Sequence, residues 1–179
     1  MSELFSIQLQ NRQQQGRDGV WLDLPTTTEQ VQAALRQIGI SSDNPQGLFI
    51  SGYFAEEEKR FAIPYNMVLA SNVDELNFLA SRLETLSTGE RAELNAALQA
   101  PQSELFSIGR ITDFPENVDY YVHLPDVHGP AQLGDYYLNR SGMVDMPEEW
   151  KGGIDTAQFG RYVTQQEQGA FTQYGYLVK

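Results

Sequence analysis

The chain has 179 residues, of which 41% are hydrophobic, 20% are charged and none is cysteine, and its net charge at pH 7 is −12. The absence of cysteine excludes disulfides, thiolate nucleophiles and cysteine-ligated metals, and no apolar run approaches the roughly 20 residues that span a bilayer. The negative charge disfavours binding to nucleic acid or to a membrane surface and favours a basic protein partner. No basic and then apolar leader pattern is visible at the N-terminus, so we expect a cytoplasmic protein.

Residues 1–62 have the pattern of a small α+β module. Thr26 or Thr27 is expected to cap a helix that stops at Gly39, because an apolar stripe of helical spacing lies between them. Alternating apolar residues predict strands on either side of that helix. The predicted strands are Leu4–Leu9, Val20–Leu24 and Gly47–Phe54.

Residues 63–101 are predicted to form a central helical module. Asn72–Glu75 and Ser87–Glu90 each match a capping box, in which a side chain at the start of a helix pairs with the backbone one turn later. Leucines then recur at helical spacing after each box, until Pro101 ends the pattern.

Residues 102–179 mix both types of element and complete a predicted α+β fold. The expected elements are a strand at Tyr120–Leu124, helices at Pro130–Asn139 and Pro147–Thr164, and a closing strand at Ala170–Leu177. We therefore predict three modules, namely an N-terminal α/β module (1–62), a central helical module (63–101) and a C-terminal α/β module (102–179).

Most of the negative charge lies between Phe61 and Trp150, where fourteen carboxylates face four arginines and leave a net charge of −10. Spaced carboxylates with few cations between them indicate a folded acidic surface rather than a disordered tail. Solubility alone would also explain such a charge, and helix capping alone would explain Asp74, Glu75 and Glu90. The candidate partner-binding carboxylates are Asp74, Glu75, Glu84, Glu90, Glu93, Asp113, Glu116, Asp119, Asp126, Asp135, Asp145, Glu148 and Glu149.

The sequence offers no catalytic signature. His123, Asp126 and His128 are close enough in sequence to suggest a metal cluster, but Pro125 interrupts the segment, so a structural or surface role is favoured. No nucleophile elbow, phosphate loop or EF-hand pattern is found. We therefore predict a protein that is not an enzyme and that has no catalytic residue, metal or cofactor.

Three stretches of the chain resemble one family in order. They are GVWLDLP followed by TTTEQVQAAL, then NVDELNFLASRLETLSTGERAELNAAL, and finally QLGDYYLNRSGMVDMPEEWKGGIDTAQFGRYVTQQEQGAFTQYGYL. The order of these landmarks, above all in the last stretch, is similar to that of ArdA-type antirestriction proteins. The resemblance covers the whole chain and contains no catalytic motif.

The resemblance implies an elongated homodimer that imitates bent B-form DNA with surface carboxylates. Such a protein occupies the DNA-binding groove of type I restriction–modification enzymes and so protects incoming mobile DNA. The alternative is an acidic adaptor that binds a basic protein without competing for DNA. The two differ in one respect, since a mimic should carry a continuous band of carboxylates with near-phosphate spacing, whereas an adaptor needs only one patch.

The expected dimer contact lies in the last module, because Gly152–Lys179 is nearly neutral and rich in aromatic residues. Two copies of the acidic segment between Phe61 and Trp150 would instead repel each other. The stretch Gln132–Asp145, where the antirestriction motif of the family falls, is also expected to serve dimerisation. The same aromatic residues could instead fill the core of a small module. The candidate interface residues are Tyr136, Tyr137, Phe159 and Tyr162.

Overall fold

The computed structural model describes residues 3–14, 16, 18–41 and 43–179. Within these residues the chain forms nine α-helices and two three-stranded sheets, which confirms the predicted α+β class. The strands are β1 (Phe5–Asn11), β2 (Val20–Leu24), β3 (Leu48–Phe54), β4 (Val122–Leu124), β5 (Ala170–Thr172) and β6 (Gly175–Val178). The helices are α1 (Thr28–Gln37), α2 (Tyr65–Leu69), α3 (Val73–Glu84), α4 (Thr88–Gln99), α5 (Ile108–Thr112), α6 (Phe114–Asn117), α7 (Pro130–Asp135), α8 (Glu148–Lys151) and α9 (Thr156–Glu167).

The chain divides into two compact units that interleave in sequence. The first consists of Met1–Ser87 and Phe106–Pro115, and the second of Thr88–Leu105 and Glu116–Lys179. The division into three modules stays a prediction.

The sheet of the first unit has the order β2-β1-β3, and all its pairs are antiparallel. Every second residue of β1 is buried, from Phe5 to Asn11, as expected when one face of a sheet covers a core and the other faces water. All three strands were predicted, although β1 begins and ends later than expected. The stretch between β1 and β2 is rich in Gln, Gly and Asp, which predicts a polar turn, and it includes residues 15 and 17, which lie outside the described residues.

Helix α1 begins where the capping pattern placed it. Thr27 is the N-cap, and its hydroxyl accepts a hydrogen bond from the backbone N–H of Gln30 while the Gln30 side chain reaches back to the Thr27 N–H. The chain leaves the helix through Gly39, whose φ of +70° lies in the left-handed region that glycine adopts without steric cost. Ala34 and Leu35 face the core, and α1 contacts β2.

Helix α3 is the main apolar element of the helical part of the first unit. Asn72 is its N-cap, with Oδ1 accepting the Glu75 N–H at 2.9 Å, and Leu76, Leu79 and Leu83 are fully buried. The helix packs against α5, which the sequence patterns did not predict. Helix α4 begins at Thr88, one residue after the predicted cap Ser87.

The second unit has a sheet of order β4-β6-β5 and a pair of packed helices, α7 and α9. Val127, Leu133 and Tyr176 form its buried core. Gly134 and Gly160 bring α7 and α9 together, because a Cβ at Gly134 would overlap the Thr156 carbonyl and one at Gly160 would overlap the Pro130 carbonyl.

Two predictions for this region were wrong in detail, and a third, the helix at Pro130–Asn139, is helical throughout but changes its type of turn. The closing strand is a hairpin of β5 and β6, because Gly175 turns the chain at a φ of +115°. The helix predicted from Pro147 to Thr164 is two helices, α8 and α9, separated by a stretch that contains Gly152 and Gly153. The helix predicted from Pro130 continues past α7 as a π-helical turn at Tyr136–Arg140.

Candidate functional site

The carboxylates of the predicted acidic surface are concentrated at helix ends. Asp74 and Glu75 lie in the first turn of α3, where Asn72 fixes the backbone and Ser71 Oγ donates to Glu75 at 2.6 Å. A helix N-terminus carries a partial positive charge, which stabilises a carboxylate placed there. The same position is occupied in other helices by Glu90 (α4), Glu116 (α6), Glu148 and Glu149 (α8).

Both units carry members of this set, and most of them are exposed. The half-buried members are Glu84, Glu90, Glu93 and Asp135. The first unit contains Asp74, Glu75, Glu84 and Asp113. The second unit contains Glu90, Glu93, Glu116, Asp119, Asp126, Asp135, Asp145, Glu148 and Glu149.

Asp135 and Glu148 have part of their charge neutralised by neighbouring cations. Asp135 accepts hydrogen bonds from Asn139 Nδ2 and from Arg140 Nη2, each at 2.8 Å, and these contacts, that of Asn139 first, lower the pKa of Asp135. Lys151 Nζ lies 2.6 Å from Glu148 Oε1. Ion pairs in which at least one partner is exposed, as here, contribute little to stability, but they reduce the charge that the surface presents. Within the part of the chain that the structure describes, ion pairs are absent at Asp74, Asp126, Asp145 and Glu149.

Glu93 differs from the other carboxylates because its surroundings oppose ionisation. It lies in the middle of α4 and is half-buried, and Glu90 is one turn away on the same helix. Burial first, and then the negative charges of Glu90 and Asp119, raise the pKa of Glu93 to about 7. Glu93 is therefore only partly ionised at neutral pH, and it adds less to the acidic surface than its residue type indicates.

Two of the candidate interface residues, Tyr136 and Tyr137, are held inside the second unit. Both pack against the core, and their rings meet edge to face at 5.4 Å between centroids. Tyr137 donates its hydroxyl to Glu167, whose other carboxylate oxygen accepts from Tyr176 Oη at 3.0 Å. Burial and the hydrogen bond to Glu167 raise the pKa of both Tyr137 and Tyr176.

The other two candidates lie on α9 and differ in exposure. Phe159 is half-buried, whereas Tyr162 is 58% exposed. The sequence patterns did not single out Met143 and Trp150, which are 75% and 67% exposed in the same unit. Exposed apolar residues of this size are candidates for a contact surface. They are recognised from their exposure in the structure and not from their spacing in the sequence.

The two histidines bind backbone carbonyls of the last hairpin. His123 Nε2 donates to the Tyr174 carbonyl at 2.7 Å, and His128 Nδ1 lies 3.5 Å from the Thr172 carbonyl. Asp126 between them is exposed. Among the described residues, no group of three His, Asp or Glu side chains is arranged to hold a metal, and the contacts of His123 are those of a structural residue.

The fold and the site thus define an acidic α+β protein whose carboxylates are mostly presented to solvent from helix ends. The family model of the antirestriction proteins (ArdA) matches residues 15–178, so the chain belongs to the ArdA antirestriction family. Comparison with individually curated proteins gives no match. Over the described ranges, none of the helices combines the length and apolarity of a membrane span.

Membership of this family means an antirestriction function, and it implies an interaction with type I restriction enzymes. The family is one of inhibitors rather than of enzymes. The segment between Phe61 and Trp150, which contains the carboxylates described above, has a net charge of −10, out of −12 for the whole chain.

Proposed function

We propose that this protein is a DNA mimic that occupies the DNA-binding groove of a type I restriction–modification enzyme in the cytoplasm, and so protects incoming mobile DNA. The observation that carries the proposal is the net charge of −10 between Phe61 and Trp150. Duplex DNA presents about one negative charge per 1.7 Å of its axis, and proteins that bind it hold complementary lysines and arginines. Carboxylates that are placed in advance on helices can engage the same cations.

The mimicry concerns the DNA backbone rather than the bases. Phosphate contacts position a protein on DNA without reading its sequence. A protein that copies only this part of the interaction inhibits enzymes of different sequence specificity. We propose that it acts as a homodimer, which doubles the length of acidic surface available.

The test is a competition for DNA on a type I methyltransferase core. A fluorescently labelled duplex containing the target site is bound to the core, and the protein is added at increasing concentration. We expect complete release of the duplex. The affinity of the protein for the core should fall steeply as salt rises, because charges are screened beyond roughly 8 Å at physiological ionic strength.

The adaptor hypothesis predicts a different result in the same assay. An adaptor would bind the core while the labelled duplex remains in place, so a ternary complex would form. Binding that is unchanged between low and high salt would likewise contradict the mimic.

A further inference from the structure

Glu167 is a carboxylate that the acidic surface does not explain. It lies outside the segment between Phe61 and Trp150, it is half-buried, and it is the last residue of α9. The C-terminal end of a helix carries a partial negative charge, which disfavours a carboxylate placed there. What stabilises Glu167 in this place is a pair of hydrogen bonds from two tyrosines.

The two oxygen atoms of Glu167 join two different elements. Oε1 accepts the hydroxyl of Tyr137, in the turn that follows α7, and Oε2 accepts the hydroxyl of Tyr176, on β6, at 3.0 Å. Hydrogen bonds from a hydroxyl to a carboxylate are charge-assisted and are roughly twice as strong as those between neutral groups. Because Tyr176 is fully buried, Glu167 ties the turn to the core of the second unit.

The turn that contains Tyr137 is π-helical and extends from Tyr136 to Arg140. The Ser141 N–H donates to the Tyr136 carbonyl at 2.8 Å, which lies five residues back rather than the four of an α-helix. The Ser141 hydroxyl donates to the Tyr137 carbonyl at 2.9 Å. π-Helical turns are rare and lie frequently at functional sites. Tyr137 is therefore bonded at both ends, through its carbonyl within the turn and through its hydroxyl to Glu167.

The π-helical turn decides which side chains meet on its outer face. Asp135 accepts hydrogen bonds from Asn139 and from Arg140, which lie four and five residues later. In an α-helix the fifth residue is turned about 140° from the first, so Arg140 would point away from Asp135. Hydrogen bonds that span five residues bring Arg140 over Asp135 as well. The ion pair between Asp135 and Arg140 therefore depends on this turn.

We propose that Glu167 is a positioning residue of the partner-binding surface. Acting through Tyr137, it holds the π-helical turn in the register that places Arg140 on Asp135, and so it fixes the direction of a carboxylate that engages the partner. The proposal rests on the proposed function in one respect, namely that Asp135 belongs to the surface that enters the basic groove. A side chain that is already fixed loses less conformational freedom on binding.

The first test measures the pKa of Asp135 by NMR of its side-chain carbonyl carbon and needs no partner protein. The hydrogen bond from Asn139, and then the contact with Arg140, lower this pKa, so loss of Arg140 raises it. Arg140→Gln gives the size of that rise. We expect Tyr137→Phe, which removes the hydroxyl and keeps the ring, to raise the pKa of Asp135 by the same amount.

Tyr176→Phe is the matched control, because it removes the other hydroxyl bond of Glu167 and lies outside the turn. It should leave the pKa of Asp135 unchanged. If Glu167 only stabilised the fold, the two phenylalanine substitutions would act alike. Glu167→Ala removes both bonds and should change Asp135 as Tyr137→Phe does. Should Glu167→Ala fail to fold, the two phenylalanine variants complete the test.

The second test uses the DNA competition assay on the methyltransferase core. We expect Tyr137→Phe to weaken inhibition about threefold, in the range of one exposed ion pair, and Tyr176→Phe to leave it unchanged. In a chain that already carries Asp135→Asn, Tyr137→Phe should have no further effect, because Glu167 acts on the partner through Asp135. Residues that are coupled in this way give non-additive effects in a double-mutant cycle.

Three results would overturn the proposal. They are a pKa of Asp135 that Tyr137→Phe leaves unchanged, equal effects of the two phenylalanine substitutions on that pKa, and an effect of Tyr137→Phe on inhibition that is absent or is the same with and without Asp135→Asn. The unmodified protein is measured beside the variants. If it releases the duplex, any of these results leaves the mimicry intact, whereas no release would refute the mimicry itself, whatever the NMR result.

Discussion

At the residue scale, Glu93 shows how neighbours decide what a carboxylate contributes. Its pKa is raised from 4.5 to about 7, chiefly by burial and then by Glu90 and Asp119. An unfolded chain has no such burial, so between these pH values the folded state holds a proton that the unfolded state has lost. The contribution of Glu93 to the free energy of unfolding of the protein therefore falls as pH rises from 4.5 to 7.

Replacement of Glu93 by glutamine should remove this pH dependence. We expect Glu93→Gln to match the unmodified protein near pH 4.5 and to exceed its stability by about 1 kcal/mol above pH 7. This figure is well below the free energy that the full pKa shift of Glu93 would correspond to, because Glu93 is only half-buried and solvent screens its charge. Urea unfolding at both pH values measures the difference.

The control for this substitution is Glu149→Gln, at an exposed carboxylate. It should change stability by the same small amount at both pH values. The stability gained by Glu93→Gln over the unmodified protein should grow between pH 4.5 and pH 7. If it did not, the burial of Glu93 would not matter to its ionisation.

At the element scale, the segment NVDELN at the start of α3 has two separate structural roles. Asn72 caps the helix. Asn77, one and a half turns later, joins the helix to the end of β2, because the Thr26 N–H donates to Asn77 Oδ1 at 2.7 Å and Asn77 Nδ2 donates to the Thr26 carbonyl at 3.0 Å. An amide is the side chain that can both accept and donate in this arrangement.

Substitution of Asn77 by aspartate should therefore destabilise the first unit. The change keeps the shape of the side chain but replaces the donor with a second oxygen, which then faces the Thr26 carbonyl without a proton. We expect a loss of about 1–3 kcal/mol, the usual cost of a buried polar group left unpaired, measured as a lower midpoint of urea unfolding.

Asn44→Asp is the matched control, since it makes the same chemical change at an exposed residue. Its effect should stay within about 0.5 kcal/mol. Equal losses for Asn44→Asp and Asn77→Asp would mean that added negative charge, rather than the lost hydrogen bond, destabilises the protein.

Elements with strong local signals were predictable from the sequence, and elements that depend on distant contacts were not. The caps Thr27 and Asn72 and the alternation in β2 are local. Helix α5 has only five residues, which are too few to be stable alone, and it exists because Ile108 and Ile111 are buried in a unit whose α3 packs against it. Its sequence carries no periodic pattern long enough to recognise.

The candidate site divides in the same way. The concentration of acids between Phe61 and Trp150 is visible in the sequence, and the exposure of most of them follows from their charge. The raised pKa of Glu93 depends on Asp119, and the hydrogen bonds of Glu167 join Tyr137 to Tyr176. Such long-range neighbours are set by the fold and have no local signature.

At the scale of the whole molecule, we expect the binding energy to be spread over many carboxylates. Exposed ion pairs are worth about 0.2–1 kcal/mol each, so Asp119→Asn alone should weaken inhibition of the methyltransferase less than about fivefold. Neutralising Asp113, Glu116 and Asp119 together, all exposed, should weaken it tenfold or more in the DNA competition assay.

The control for this triple change is conversion of Glu56, Glu57 and Glu58 to glutamine. These residues are also exposed and carry the same total charge, but they lie outside the segment between Phe61 and Trp150. If the two triple variants lost inhibition equally, net charge alone would govern binding. If one carboxylate abolished inhibition by itself in a folded protein, a single hot spot would replace the distributed surface.

Self-association of a chain with a net charge of −12 requires a contact that avoids the acidic segment. The second unit offers candidates for such a contact, but its aromatic residues are not equivalent. Tyr176 is fully buried and Phe171 packs on it, so both serve the core. Tyr162 is 58% exposed on α9 and has the area free for a partner.

We therefore expect the protein to sediment as a dimer of 20.2 kDa chains at micromolar concentration, and Tyr162→Glu to sediment as a folded monomer. A charge buried in an apolar contact without a partner is costly, so the substitution separates the copies and leaves each fold intact. Tyr120→Glu is the control, because Tyr120 is 72% exposed but lies in the acidic segment. It should remain dimeric. Dissociation by Tyr120→Glu and not by Tyr162→Glu would move the interface into the acidic segment, and a monomeric unmodified protein would exclude the dimer altogether.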